Sequence, residues 1–339
     1  MKHWRETTEI VNRILALASE GRQAALATVI RIDGSSYRRP GAKFLIEDDG
    51  RTLGGVSGGC LEADVREIAL GVMRTGVPKL LHYDTGADDS TVWGLGLGCN
   101  GSVDIFVQPA TVAPTLDVLR KLGARLEQGS AIVILTVIDG PADVGRMVLL
   151  DGVARDAVSR VATDDSRIVF TEVLQPPPVL IVCGAGDDAR PLVSLASEAG
   201  FAVTVVDHRQ AFLTAERFPS ARRLVAMRPD GDAAQVGIAA RSLIVIKTHS
   251  YAHDRDWLKA CLNSPASYIG LLGPRGRAEE MLGELNAGND ARVFAPVGLS
   301  VGADGPEQIA ISVIAELLSV LSRQTPVHLR EKREAIHAF

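Results

Sequence analysis

Apolar and polar positions alternate along this chain in short blocks that predict an α/β protein. Apolar residues Ile10, Ile14, Leu15 and Ala18 predict an opening helix, capped by Thr7 or Thr8 and ended at Gly21. The run 24–31 predicts a buried strand, and 44–46 its return partner. Leu61, Val65, Ile68, Ala69 and Val72 recur at helical steps, so a second helix starts near residue 61. Strands follow at 79–83, 103–107, 132–138 and 147–150, with a helix at 115–128. Beyond Gln175-Pro176-Pro177-Pro178 the alternation becomes regular. Strands are predicted at 179–183, 201–207, 223–226, 243–247, 268–272 and 293–296, with helices between them. The last helix, 306–321, is apolar on more than one face and is expected to be largely buried, in its domain or at the interface of a homodimer. The predicted organisation is an N-terminal α/β domain with glycine- and cysteine-rich loops (1–174), an exposed proline linker (175–178), a Rossmann-like doubly wound parallel sheet (179–325) and a C-terminal tail (326–339).

Composition narrows the function classes. The 339 residues are 46% hydrophobic, enough for two cored domains, and 36 basic against 41 acidic side chains leave a net charge of −5. No basic block or aromatic-basic interleaving is present, which argues against nucleic acid. No signal peptide or membrane-length apolar run is evident. Cys60, Cys99, Cys183 and Cys261 are widely spaced and form no Cys-x-x-Cys pattern, so free thiols in a reducing cytoplasm are expected.

Three stretches carry candidate chemistry. Residues 54–66 deliver Cys60 from four glycines to a helix start, where unpaired amides and the helix dipole favour thiolate, while Glu62 and Asp64 oppose it. Residues 93–101 present Cys99 in a second glycine-rich loop. Converging thiolates would suit a ligand with soft atoms, sulfur or a soft metal; small core residues among packing glycines are the alternative. Arg38, Arg39 and Lys43 in the 37–43 turn form a candidate anion site or a charged surface turn. The third stretch is Gly184-Ala-Gly186, with Ala189 in the third glycine position and Asp207 ending the next strand, as in a dinucleotide-binding βαβ unit. Asp187 and Asp188 put negative charge where a pyrophosphate would sit. Arg275, in the turn 273–277, is a further candidate anion contact. His249 and His253 are expected to hydrogen-bond or cap.

Taken together, these segments resemble the XdhC/CoxI maturation factors of molybdenum hydroxylases. The likeness is carried by Gly-Ser-Ser-Tyr-Arg-Arg-Pro-Gly-Ala at 34–42, Ser-Gly-Gly-Cys-Leu-Glu at 57–62, Gly-Leu-Gly-Cys-Asn-Gly at 96–101, Tyr-Ile-Gly-Leu-Leu-Gly at 268–273, Pro-Val-Gly-Leu at 296–299 and Gly-Pro-Glu-Gln-Ile-Ala at 305–310. The resemblance implies a carrier more than an enzyme. Its cargo would be the molybdenum cofactor, as molybdopterin or its cytidine dinucleotide, shielded, presented to a cysteine desulfurase for sulfuration, and inserted into an apo molybdenum hydroxylase of the xanthine, aldehyde or carbon monoxide dehydrogenase type. Cys60 and Cys99 match the family's cysteines. Thiolates suit the dithiolene-bound metal and arginine or lysine the phosphate. The competing readings are an NAD(P)-binding Rossmann oxidoreductase, resting on Gly184, Gly186 and Asp207 alone, and a scaffold that binds no cofactor.

Overall fold

The computed structural model describes residues 2–34, 38–84, 101–152, 157–231 and 235–331. The described residues form two units, one within 2–176 together with 329–331, the other within 177–328.

The first unit runs α1 (Lys2–Ser19), β1 (Ala24–Gly34), β2 (Lys43–Glu47), β3 (Thr52–Gly54), α2 (Glu62–Thr75), β4 (Lys79–Asp84), β5 (Gly101–Pro109), α3 (Thr115–Gln128), β6 (Ile132–Asp139), β7 (Met147–Asp151), β8 (Arg160–Asp164) and β9 (Arg167–Leu174). It holds two antiparallel sheets, ordered β3-β2-β1-β5-β4 and β7-β6-β9-β8. β1 reads as one apolar run because both its faces are covered. Ala25, Ala27 and Val29 pack with Val65 and Ala69 of α2, while Ala24 and Leu26 pack with α1 and α3. Helix α1 begins five residues before Thr7. Thr7 is fully buried inside it and Thr8 Oγ1 donates to the Trp4 carbonyl, 2.8 Å away. Burial of Trp4 extends the apolar face and overrides the threonines' capping preference.

The second unit runs β10 (Val179–Cys183), α4 (Ala189–Glu198), β11 (Ala202–Asp207), β12 (Arg223–Ala226), β13 (Leu243–Ile246), α5 (Tyr251–Leu262), β14 (Tyr268–Leu271), α6 (Arg275–Glu284), β15 (Val293–Phe294) and α7 (Pro306–Ser322). Every pair in its six-stranded sheet is parallel, in the order β12-β11-β10-β13-β14-β15. This is the doubly wound arrangement expected, and its strand order reverses between β10 and β13. Alternate residues of each strand face opposite helical layers. Val182 and Val205 meet α4 and α7; Ile181 and Ile244 meet α5 and α6.

One expectation needs correction. The proline run is not exposed: Pro176 and Pro177 are half-buried, and Pro178 is buried with its carbonyl accepting the Ala202 amide, because it already leads into β10. Helix α7 buries only one face. Ala310, Val313 and Leu317 are inside, whereas Ile311 is 57% exposed. No helix among the described residues is long and apolar enough to cross a membrane.

At Gly184 the chain leaves β10 with φ 119°, and a Cβ there would lie 2.4 Å from the Lys247 carbonyl oxygen. Gly184→Ala is therefore expected to destabilise by roughly 2–4 kcal/mol. Gly58→Ala, in open space, should stay within about 0.5 kcal/mol. Equal small changes in urea unfolding would remove the steric account.

Candidate functional site

Cys60 lies in the loop between β3 and α2 and is exposed. One hydroxyl organises that loop. Ser57 Oγ accepts the amides of Gly59 (3.2 Å), Cys60 (3.0 Å) and Leu61 (3.1 Å), and donates its own proton to Glu62. The Glu62 carboxylate in turn accepts the amides of Val56 (3.1 Å), Ser57 (2.8 Å) and Gly59 (3.1 Å). Burial pushes the Glu62 pKa up, but these hydrogen bonds outweigh it and hold the carboxyl below its ordinary range. The structure thus changes the electrostatic reading of the loop. The amides near the thiol are not unpaired donors; they are consumed by Ser57 and Glu62, which hold the thiol in place.

Asp64, in the first turn of α2, accepts a hydrogen bond from Tyr83 on β4, at 2.5 Å. Tyr83 pairs in register with Val103, two residues into β5. Cys99 lies outside the described residues; the strand after it starts at Gly101, whose partner across the sheet is Gly34. A Cβ at Gly101 would sit 2.1 Å from the Asp33 carbonyl oxygen, so this glycine permits close strand approach.

The cations of the 38–43 turn are largely turned inward. Arg38 is 9% exposed and pairs with Glu6 of α1, whose carboxylate also accepts the Lys43 amide at 2.9 Å. Lys43 is 3% exposed and pairs with Glu172 of β9. Both charges meet internal carboxylates, as buried cations require. Arg39 is half-buried, and burial lowers its pKa.

In the second unit, Gly184 and Gly186 serve close packing. A Cβ on Gly186 would meet Asp188 Oδ1 at 2.7 Å. Asp207 accepts four hydrogen bonds, from the Ala185 amide (2.8 Å) and from the Arg209 amide (2.9 Å), Nε (2.9 Å) and Nη2 (2.8 Å). These fill a carboxylate's acceptor positions, leaving none in this arrangement for ribose hydroxyls. Arg275 is exposed at the start of α6. Asp187 pairs with Arg217 at 3.0 Å. Asp188 pairs with Lys247 at 2.8 Å and His249 at 2.7 Å. His249 precedes α5 with φ 62°, and His253 lies within the helix, so the two do not share one helical face. Asp254 accepts Thr248 Oγ1 (2.6 Å) and Arg277 Nη2 (2.6 Å). Among the described residues no group of three or more His, Cys, Asp or Glu side chains is placed to hold a metal ion.

The other described thiols are unsuited to ligation. Cys183 and Cys261 are buried between the sheet and α5; desolvation raises the first well above its ordinary value and the second to about 12. Sequence reasoning missed Ser57 and Lys247. Ser57 was signalled by a hydroxyl residue three positions before a helix-start cysteine, and Lys247 by a charge closing the apolar run 243–246.

Comparison with known proteins bears on the whole chain. Residues 17–84 match the XdhC and CoxI family and residues 180–317 the XdhC Rossmann domain. A Bacillus subtilis (strain 168) protein, named as a probable xanthine dehydrogenase subunit, is 33% identical over 324 residues, which are 91% of this chain and 96% of that protein. This chain belongs to the XdhC and CoxI family. Within that family setting, the molybdenum cofactor insertion chaperone PaoD of Escherichia coli (strain K12) is 25% identical over 341 residues, covering 95% of this chain and 94% of PaoD. A solved Bacillus halodurans protein described as a xanthine dehydrogenase shares 29% identity and superposes with a TM-score of 0.79, covering 93% of this chain and 96% of its own. The match over 17–84 contains Cys60 and the 38–43 turn.

Two measurements check this geometry. In a Cys60→Ser/Cys99→Ser double variant, Cys183 and Cys261 should react with a disulfide reagent only on unfolding; fast native reaction would contradict their burial. Although burial pushes Asp207 up, Arg209 and the Ala185 amide hold it down at about 2. Its stabilisation is present above the unfolded carboxylate value and lost as pH falls through about 2. Asp207→Asn should cost roughly 2 kcal/mol at pH 7, with the difference shrinking progressively in acid. Denaturant melts that show a pH-independent difference would rule out this linkage.

Proposed function

We propose that this chain is a molybdenum-cofactor-binding chaperone that protects the cofactor, presents it for sulfuration and assists its insertion into a molybdenum hydroxylase of the xanthine dehydrogenase type. The observation that carries the reading is Cys60: an exposed thiol on a loop whose hydrogen bonds close on themselves through Ser57 and Glu62. Such a loop offers one unencumbered soft donor. A sulfur-ligated molybdenum centre is a partner that a thiolate favours. Cys99 joins it in the proposal. It lies outside the described residues and enters on the sequence pattern alone, as the second glycine-flanked cysteine.

The 38–43 turn, with Arg38, Arg39 and Lys43, is proposed for the cofactor's phosphate; Arg38 pairs with Glu6 and Lys43 with Glu172, so these carboxylates set the charge an incoming phosphate meets. The apo-hydroxylase would receive the cargo, and a cysteine desulfurase would supply the sulfido ligand. The names of PaoD and of the Bacillus subtilis relative support this reading. The oxidoreductase alternative loses support from the filled acceptors of Asp207 and the carboxylate of Asp188 at the α4 N-terminus.

Cys60→Ser should lower bound molybdenum and pterin by about tenfold or more, the scale on which metal sites respond to lost support. Its stability should change by no more than about 0.5 kcal/mol, because the side chain is exposed. The check is molybdenum and oxidised-pterin stoichiometry with denaturant melts on the same preparations. Wild-type retention, or a stability loss large enough to account for the missing cofactor, would make Cys60 structural.

A further inference from the structure

At the switch point between β10 and β13, the second unit contains a cavity of about 450 Å³ that none of the nucleotide-type contacts uses. Its size lies in the range of small-molecule pockets, roughly 300–1,000 Å³. The walls are apolar, with Leu192 of α4, Val245 of β13, Leu272 after β14, and Ile309 and Val313 of α7. Its polar groups are Asp188, Lys247 and His249. The Lys247 side chain is 4% exposed, and its Nζ lies 2.8 Å from Asp188 Oδ1. That contact takes at most one of the ammonium's donors, and no other hydrogen-bond acceptor of Nζ is found among the described residues. An ammonium carries three donors, so Lys247 retains donor capacity toward the cavity. Burial pushes its pKa down, against the pull of Asp188. His249, 61% exposed, closes on Asp188 from the solvent side.

A phosphate fits this arrangement poorly. The carboxylate beside the only lysine in the lining repels an anion, and the walls are hydrocarbon. A flat, neutral heteroaromatic ring fits it well. Its faces can lie against the aliphatic side chains, and its edge needs donors for Asp188 beside an acceptor for Lys247. The 2-amino-4-oxopyrimidine edge has that sequence: the 2-amino group and ring N3–H face a carboxylate, and the adjacent carbonyl accepts from an ammonium. Pterins and guanine share it; adenine, cytosine and nicotinamide do not.

We propose that the Asp188–Lys247 cavity of the Rossmann unit is a binding site for a 2-amino-4-oxopyrimidine-fused ring, and specifically for a pterin. The choice of pterin over guanine rests on the cofactor-carrier reading above; the ring class rests on the cavity itself. Asp188 pairs with the amino and N3–H groups, Lys247 donates to the carbonyl, and α7 covers the ring through Ile309 and Val313.

The test uses the full-length chain and free pterin, 2-amino-4-oxopteridine, followed by its fluorescence, with guanosine, NADH and inorganic phosphate as separate probes. Wild type should bind pterin saturably and in preference to the other three. Ile309→Trp, which fills the cavity, and Lys247→Met should each weaken binding by tenfold or more. Ile311→Trp, on the exposed side of the same helix, should not. Absence of pterin binding, an unchanged affinity in folded Ile309→Trp, or preference for guanosine would each overturn the assignment. So would copurification of wild-type amounts of cofactor with Ile309→Trp. Free-pterin binding that depends on Lys247, in a protein that never copurifies with molybdenum, would sink the carrier reading and leave this site standing.

Discussion

Charge removed from water has to be met by opposite charge or by a full set of hydrogen bonds, and this requirement fixes the strand ends in both units. Lys43 of β2 and Glu172 of β9 join the two sheets of the first unit through a pair in which both side chains are nearly inaccessible. Glu6 does the same for α1 and the turn before β2, taking Arg38 and the Lys43 amide together. In the second unit Asp207 anchors the glycine loop to β11, and Lys247 holds Asp188 at the opening of α4. The apolar layers supply most of the driving force for folding. These few polar connections select which loop conformation the layers support.

The same requirement marks where the sequence was readable. Strands covered on both faces, such as β1, β10 and β13, stood out because nothing polar interrupted them. Strand β9 was not recognised, nor was β8 beside it. β9 carries Glu172 among its inward residues, and a carboxylate there makes sense only once Lys43, 129 residues away, is known to face it. For the same reason Arg38 and Lys43 read as ligand anchors when seen locally. Their partners lie on α1 and β9, and no local pattern reveals a long-range pair. The glycine spacing around 184–189 was legible as fold. Its steric role, the approach of Gly184 to the Lys247 carbonyl, is common to doubly wound sheets, whereas the aspartates after it are not what a pyrophosphate site requires.

The exposure of Cys60 was legible because the glycines around it leave little else for the segment to present. What the residue pattern did not convey is how the thiol is held. A helix start offers its amides to whatever acceptor is nearest, and here that acceptor is Ser57 rather than a ligand. The dipole argument for an activated thiol is thereby weakened, and exposure and position remain as its qualifications.

The closed circuit of Ser57 and Glu62 has a thermodynamic corollary. A loop that must freeze around its cargo forfeits conformational entropy on loading and regains it on release, so its affinity is tied to its own disorder. The Cys60 loop is already frozen by three amides on one hydroxyl and three on one carboxylate. Under the proposed role of Cys60, little reorganisation would separate the loaded from the empty state, and transfer of cargo would be a competition between donor atoms rather than a refolding event.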